Sequence, residues 1–502
     1  MSVPVVDGVL LAALREDFAG LDFSVDGLAD FLGEDGVLAW QQDRRVPLLR
    51  CCAVAGGSLL SLAVRFFLLG VSLPAESVGE LLPHCGARGL VALGLAEPAG
   101  DLLRPLVHLA PHAASISGVD YHWWVASDLG ALAGVRPAVD HVLGVGGATR
   151  TLALATPPGR VGSALDLGTG CGVLALYLAT HSRRVVASDI SARACAFAAF
   201  NVALNGFSDR VEVCRGDLCA PVDGEFFDLI VSNPPFVITA DRVRESGVFE
   251  YRDGGRAGDE LTAEVVGQVC EHLAPGGHAV LLGNWEVRSA GQWMAGPQRW
   301  LEGREVAAWV VQRRLLSPAQ YVRLWLEDGS AGQGTAGSES VELAWLEDFA
   351  SRGVVGIGMG LVVLAAPGSR GFVPARRFDV VETSSSAAGE FLQGAVDLLA
   401  SGWSLSRADR LVRAADVREE RHYVPGQPDP QLVFATQGGG FGQRVQLSSD
   451  VAGFLGACDG ELSVGQIVTA MGVLSGRSGE DVWRAVREPV EVLCRAGMLQ
   501  IC

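Results

Sequence analysis

Seven near-continuous apolar runs separated by stretches of helical spacing constrain this chain more than any other feature. They are SALDLGTG (163–170), RRVVASDI (183–190), RVEVCRGDL (210–218), FDLIVSNPP (227–235), HAVLLGNW (278–285), EVAAWVVQRR (305–314) and VVGIGMGLVVLAA (354–366). A strand with one wet face alternates polar and apolar residues, whereas a strand covered on both faces does not. The runs therefore predict a sheet flanked by helices on both sides, an α/β domain over about 116–368.

A chain of 502 residues, 49% hydrophobic, exceeds one ordinary core, and two or three domains are expected. Residues 1–115 carry apolar residues at helical spacing in GLADFLG, SLLSLAVRFFLLG and SVGELLPHCGARGLVALGL, ahead of GDLLRPLVHLAPH. Short helices ending in a glycine-turned ribbon resemble a winged helix. Residues 369–502 pass a polar stretch, YVPGQPDPQ, and end in SSDVAGFLGACDGELSVGQIVTAM and VWRAVREPVEVLCRAGMLQIC, which predicts a small helical domain and a second winged-helix candidate. Only GSAGQGTAGSES (329–340) has the composition of a flexible linker.

The net charge is −18 and all 39 basic residues are arginine. Repulsion from phosphates makes such a chain a poor non-specific nucleic-acid binder, although a local arginine patch can still dock RNA. The 11 cysteines show no metal-ligand spacing, so no metal is expected and the thiols read as reduced, in a cytoplasm. No basic stretch precedes the apolar N-terminus, and the apolar run 51–74 is broken by Arg65, so neither a signal peptide nor a membrane span is predicted.

ALDLGTGCGVLALYLA sets Asp166, Gly168, Thr169, Gly170, Cys171 and Gly172 between a strand and a helix. Glycines there let a ligand approach the backbone beside a helix N-terminus. Leu174 stands where the last glycine of a dinucleotide G-x-G-x-x-G falls, which counts against NAD. Asp189, followed by Ile190, ends the next strand, where a carboxylate can accept from both ribose hydroxyls. Asp217 is placed to accept from an adenine amine, with Leu218 beside the ring. A lone strand-end aspartate is more often a helix cap or turn former, but three in series with the glycines point to a cofactor site.

Asp166-Leu-Gly-Thr-Gly-Cys-Gly172, Asp189, Asp217 and Asn233-Pro-Pro-Phe236 together resemble the class I S-adenosylmethionine-dependent methyltransferases, particularly the HemK-type family that methylates glutamine amides and its relatives acting on nucleobase amines. The resemblance covers roughly residues 120–310. It implies a Rossmann-like, seven-stranded sheet whose last strand runs antiparallel between the two before it, S-adenosyl-L-methionine as cofactor and S-adenosylhomocysteine as product. The connection about 315–352, with SPAQYVRLWLED and VELAWLEDFASRG, is then an insertion at the substrate mouth, its Tyr321, Trp325 and Trp345 serving as packing for an added hairpin or as a lid.

DLIVSNPPFVITA (228–240) begins like a buried strand and stops on two prolines, which end pairing and hold one shape. An amide nitrogen is a poor nucleophile because its lone pair is delocalised. Asn233 can accept one of its N–H groups and the Pro234 carbonyl the other, while Pro235 stiffens the turn and Phe236 stacks on the flat substrate. Tyr251, Arg252 and Arg256, on the following loop, are candidates to meet the substrate, the arginines by pairing a carboxylate or phosphate. A protein amide is the favoured acceptor; an rRNA or tRNA amine, a small amide, guanidine or arylamine, and a non-catalytic cofactor-binding scaffold are the alternatives.

Overall fold

The computed structural model describes residues 3–244, 252–329, 335–368, 371–382, 388–437 and 439–502. The central sheet has eight strands: β1 (Val161–Leu167), β2 (Ser182–Asp189), β3 (Val211–Arg215), β4 (Phe227–Ser232), β5 (Leu273–Val287), β6 (Ala307–Leu316), β7 (Gly356–Ala365) and β8 (Arg376–Val380). Their order is β8-β6-β7-β5-β4-β1-β2-β3. β7 runs antiparallel to both β5 and β6, and the other pairings are parallel. The seven expected strands thus take the expected order, and β8 adds an eighth. It pairs with β6, Ala308 opposite Arg376, so the sheet overruns the domain boundary expected at 368/369.

Successive residues of each central strand enter opposite cores, the period-2 consequence of a pleated strand. Ala164, Val185, Leu229 and Val280 lie in one cluster with Phe18, Phe66 and Phe67 of the N-terminal region. Their neighbours Leu165, Val186, Ile230 and Leu281 lie in another with Val265, Val266 and Val269 of helix Glu260–His272. Both faces are dry, which is why these strands lack polar alternation.

The boundary expected at 115/116 falls inside a ribbon, Val107–Ile116 with Val119–Asp128, paired across all ten positions. Before it come strand Leu73–Pro74, helices Ala75–Leu81 and Gly86–Ala92 and the ribbon Ala96–Ala99/Leu102–Pro105, in that order. The C-terminal region is less helical than expected. Strands Arg410–Arg413, Asp459–Ser463 and Leu499–Ile501 form one sheet, and Val417–His422, Leu432–Gln437 and Arg444–Leu447 another, with the polar stretch at 423–431 as a loop. The insertion folds as helices Pro318–Gly329 and Thr335–Ser351, the second starting inside the stretch expected to be linker. Among the described residues no helix is long and apolar enough to cross a membrane.

Candidate active site

Sheet register sets the site. Leu167 lies opposite Ser188 of β2 and Ser232 of β4, and Asp189 opposite Arg215. The residues that follow, Gly168, Asp189 and Asn233, therefore leave the sheet side by side at its C-terminal edge. The Ser232 hydroxyl ties β4 to β1 by donating to the Leu167 carbonyl at 2.7 Å.

The glycine turn needs its glycines. Gly168, Gly170 and Gly172 have φ of 77°, 56° and 84°, a region that side chains disfavour. A Cβ on Gly172 would sit 2.9 Å from the Ala198 Cα, so the turn also depends on a close helix approach. One on Gly168 would come 3.9 Å from the Asn233 carbonyl oxygen, which measures how near the two motifs lie. Asp189 braces the turn: its oxygens accept from the Gly170 and Ser191 amides, each at 2.9 Å. Each oxygen keeps a further lone pair, and burial raises its pKa.

Asp166 is fully buried. The Thr169 hydroxyl donates to its Oδ2 at 2.6 Å, whereas Oδ1 has no partner. Burial pushes its pKa up to about 7. An orphaned carboxylate oxygen under an open left-handed turn, with a ribose-competent aspartate beside it, fits the cationic nucleoside that the resemblance implies. Cys171 is buried and its thiol pushed up to about 11, while its carbonyl accepts from Asn201 at 2.8 Å. Ile190 is exposed, and Leu218 holds a left-handed φ of 48° beside the exposed Asp217.

At the other motif, Pro234 is buried and Asn233, Pro235 and Phe236 are half-buried. The Pro234 carbonyl accepts from the Phe236 amide at 2.7 Å, a tight turn about Pro235 that leaves one lone pair. Among the described residues the Asn233 side chain makes no hydrogen bond. Residues 252–254 dock on the turn: Val237 donates to the Arg252 carbonyl at 2.8 Å, Gly254 to the Pro235 carbonyl at 3.2 Å, and Phe236 bridges Asp253.

Two of the three substrate-side candidates are described, and both are already engaged. Arg252 is buried, donates to the Trp325 carbonyl at 3.1 Å and stacks over the Trp325 ring, so it fastens the loop instead of awaiting an anion. Arg256 lies between Glu264 and Asp217. Tyr251 lies outside the described residues. Phe236 itself packs on the insertion, whose Tyr321, Trp345 and Phe349 are buried in a core with Val237, Ile238 and Ala240. The Tyr321 oxygen accepts from the Ile238 amide and from Asn284, both at 2.9 Å, and Trp345 donates to the Ile238 carbonyl at 2.8 Å. Sequence reasoning missed Asn284 and the buried Asp128–Arg193 pair, neither of which belongs to a motif. A cavity of about 760 Å³ between β8, helix Gly389–Ala400 and the C-terminal region is lined by none of these site residues.

The segment carrying both motifs matches a known family profile, Methyltransferase small domain, over residues 143–248. This segment is a class I methyltransferase domain. The methyltransferase domain is 38% identical over 128 residues to the ribosomal protein uL3 glutamine methyltransferase of Bradyrhizobium diazoefficiens, 24% of this chain and 40% of that one. It is 36% identical to the release factor glutamine methyltransferase of Deinococcus radiodurans over 28% of this chain and 55% of that one. To the ribosomal RNA small subunit methyltransferase C of Alcanivorax borkumensis it is 30% identical, over 27% and 36%. The chain thus spans between about a third and just over half of the length of these curated relatives. Ahead of the methyltransferase domain, residues 20–106 match a domain of unknown function (DUF7059).

Proposed function

We propose that this protein transfers a methyl group from S-adenosylmethionine to the amide nitrogen of a glutamine side chain in a protein. The observation that carries the reading is Asn233, a half-buried amide without a hydrogen bond among the described residues, next to the Pro234 carbonyl and one turn from the glycine cradle. The bound cofactor supplies an electrophilic methyl on a sulfonium. Asp166, Asp189, Asp217 and the turn Gly168–Gly172 hold it. Asn233 Oδ1 accepts one N–H of the substrate amide and the free lone pair of the Pro234 carbonyl the other, which fixes the plane of the amide and favours charge building on its nitrogen. Pro234 and Pro235 keep both acceptors from relaxing. No base is needed before transfer, because the proton leaves from the cationic product.

The names of two relatives support glutamine as the acceptor. The third relative's name keeps a nucleobase amine as the second reading, since the same two acceptors suit it. Charge argues against that reading. Exposed arginines of the last long helix are paired within it, Arg484 with Glu480 and Asp481 and Arg487 with Glu491, in a chain of net charge −18. The test is transfer of labelled methyl from S-adenosylmethionine into a cell extract split into protein, RNA and small-molecule fractions, with Asn233→Ala as the blank. Protease-sensitive label is the expected result. Label in RNA or in the filtrate would replace the acceptor, and bound cofactor without label in any fraction would make the protein a scaffold.

A further inference from the structure

A chain of polar contacts joins the adenine-side carboxylate to the acceptor turn. Asp217 Oδ2 lies 3.7 Å from Arg256 Nη2, with both side chains partly exposed. Arg256 is also held by Glu264, Nε to Oε2 at 3.0 Å. Its backbone carbonyl accepts from Arg244 Nη2. Arg244 Nε in turn meets both oxygens of Asp253, at 3.2 and 2.9 Å. The Asp253 side chain is only 2% exposed, and Asp253 is the residue bridged to Phe236. Asp253 Oδ1 also accepts from the Gly255 amide at 2.7 Å.

We propose that Arg256 is a positioning residue through which the adenine end of the cofactor sets the acceptor turn. The inference rests on the cofactor reading above. An ion pair between partly exposed partners gains little while water surrounds it, and more once its surroundings dry. When a base amine takes one oxygen of Asp217 and covers the carboxylate, the other oxygen draws Arg256 away from its competing partner, Glu264. The Arg256 carbonyl then tightens on Arg244, and Arg244 holds Asp253 against Phe236. Linkage is reciprocal, so fixing the turn strengthens the adenine end by the same factor.

Backbone amide exchange of the full chain, with and without saturating S-adenosylhomocysteine, tests the coupling. In the unaltered protein the ligand should slow exchange of the Val237, Gly254 and Gly255 amides by about threefold. Arg256→Gln should bind the ligand within about fivefold of the unaltered affinity, yet show no ligand-dependent change at those amides. Glu264→Gln removes only the competing partner and should keep the change. Equal slowing in the unaltered protein and Arg256→Gln would overturn the coupling, as would binding without slowing in the unaltered protein. Calorimetry on the same samples separates these outcomes from failure of the underlying reading: no binding by the unaltered protein would remove the cofactor site and the coupling together.

Discussion

On the proposed cofactor reading, Asp166 gives binding a pH dependence that follows from its surroundings. Burial pushes its pKa from the ordinary 3.8 up to about 7, opposed by the Thr169 hydrogen bond and helped by the charge of Asp189. A cationic ligand prefers the carboxylate, so apparent affinity follows the ionised fraction, about one tenth at pH 6 and about nine tenths at pH 8. S-adenosylhomocysteine, whose ammonium persists at both values, should therefore bind about tenfold more weakly at pH 6, releasing close to one proton as it binds. Calorimetry in two buffers of different ionisation enthalpy measures both quantities. Asp166→Asn has no carboxyl to titrate and should flatten the profile; a tenfold ratio persisting in that variant would refute the assignment. Stability of the ligand-free protein has the opposite sign. The folded carboxyl holds its proton more tightly than the unfolded one, so its contribution is full below about pH 4 and is lost as pH rises through about 7.

Three further substitutions probe separate parts of the site. Asn233→Ala should lower methyl transfer by about 10²- to 10³-fold, the usual cost of losing one oriented polar group, while S-adenosylhomocysteine affinity stays within about twofold; normal turnover would remove the acceptor role. Asp189→Ala frees the Gly170 and Ser191 amides and removes the proposed ribose acceptor, so binding should weaken by about 10- to 100-fold at about 1.5–3 kcal/mol per charged hydrogen bond; an unchanged dissociation constant would contradict the bracing. Tyr321→Phe keeps the ring but strands the Ile238 amide and the Asn284 side chain, and urea unfolding should report a loss of about 1–3 kcal/mol. A midpoint equal to that of the unaltered protein would mean that the insertion does not fasten the turn.

What was legible in the sequence is what local chemistry dictates. The six inner strands read clearly because burial on both faces leaves no place for polar alternation, and the glycine turn because its φ values exclude other residues. β8, Arg-Arg-Phe-Asp-Val, did not: it is a short edge strand, none of whose residues is buried, so its charges read as loop. The ribbon at 107–128 was hidden by Pro111, which a two-stranded ribbon tolerates because each strand keeps an unpaired side. Arg252 and Asp253 looked like exposed loop charges. Their burial is set by Trp325, 73 residues beyond Arg252, and by Arg244 across the undescribed segment. The same distance separates function from support at the turn. Asn233 and Pro234, the proposed acceptors, are adjacent, but the hydrogen bonds on Ile238 come from Tyr321 and Trp345, 83 and 107 residues away. A motif can thus nominate acceptors, whereas the packing that holds the segment after them belongs to an insertion that carries no motif of its own.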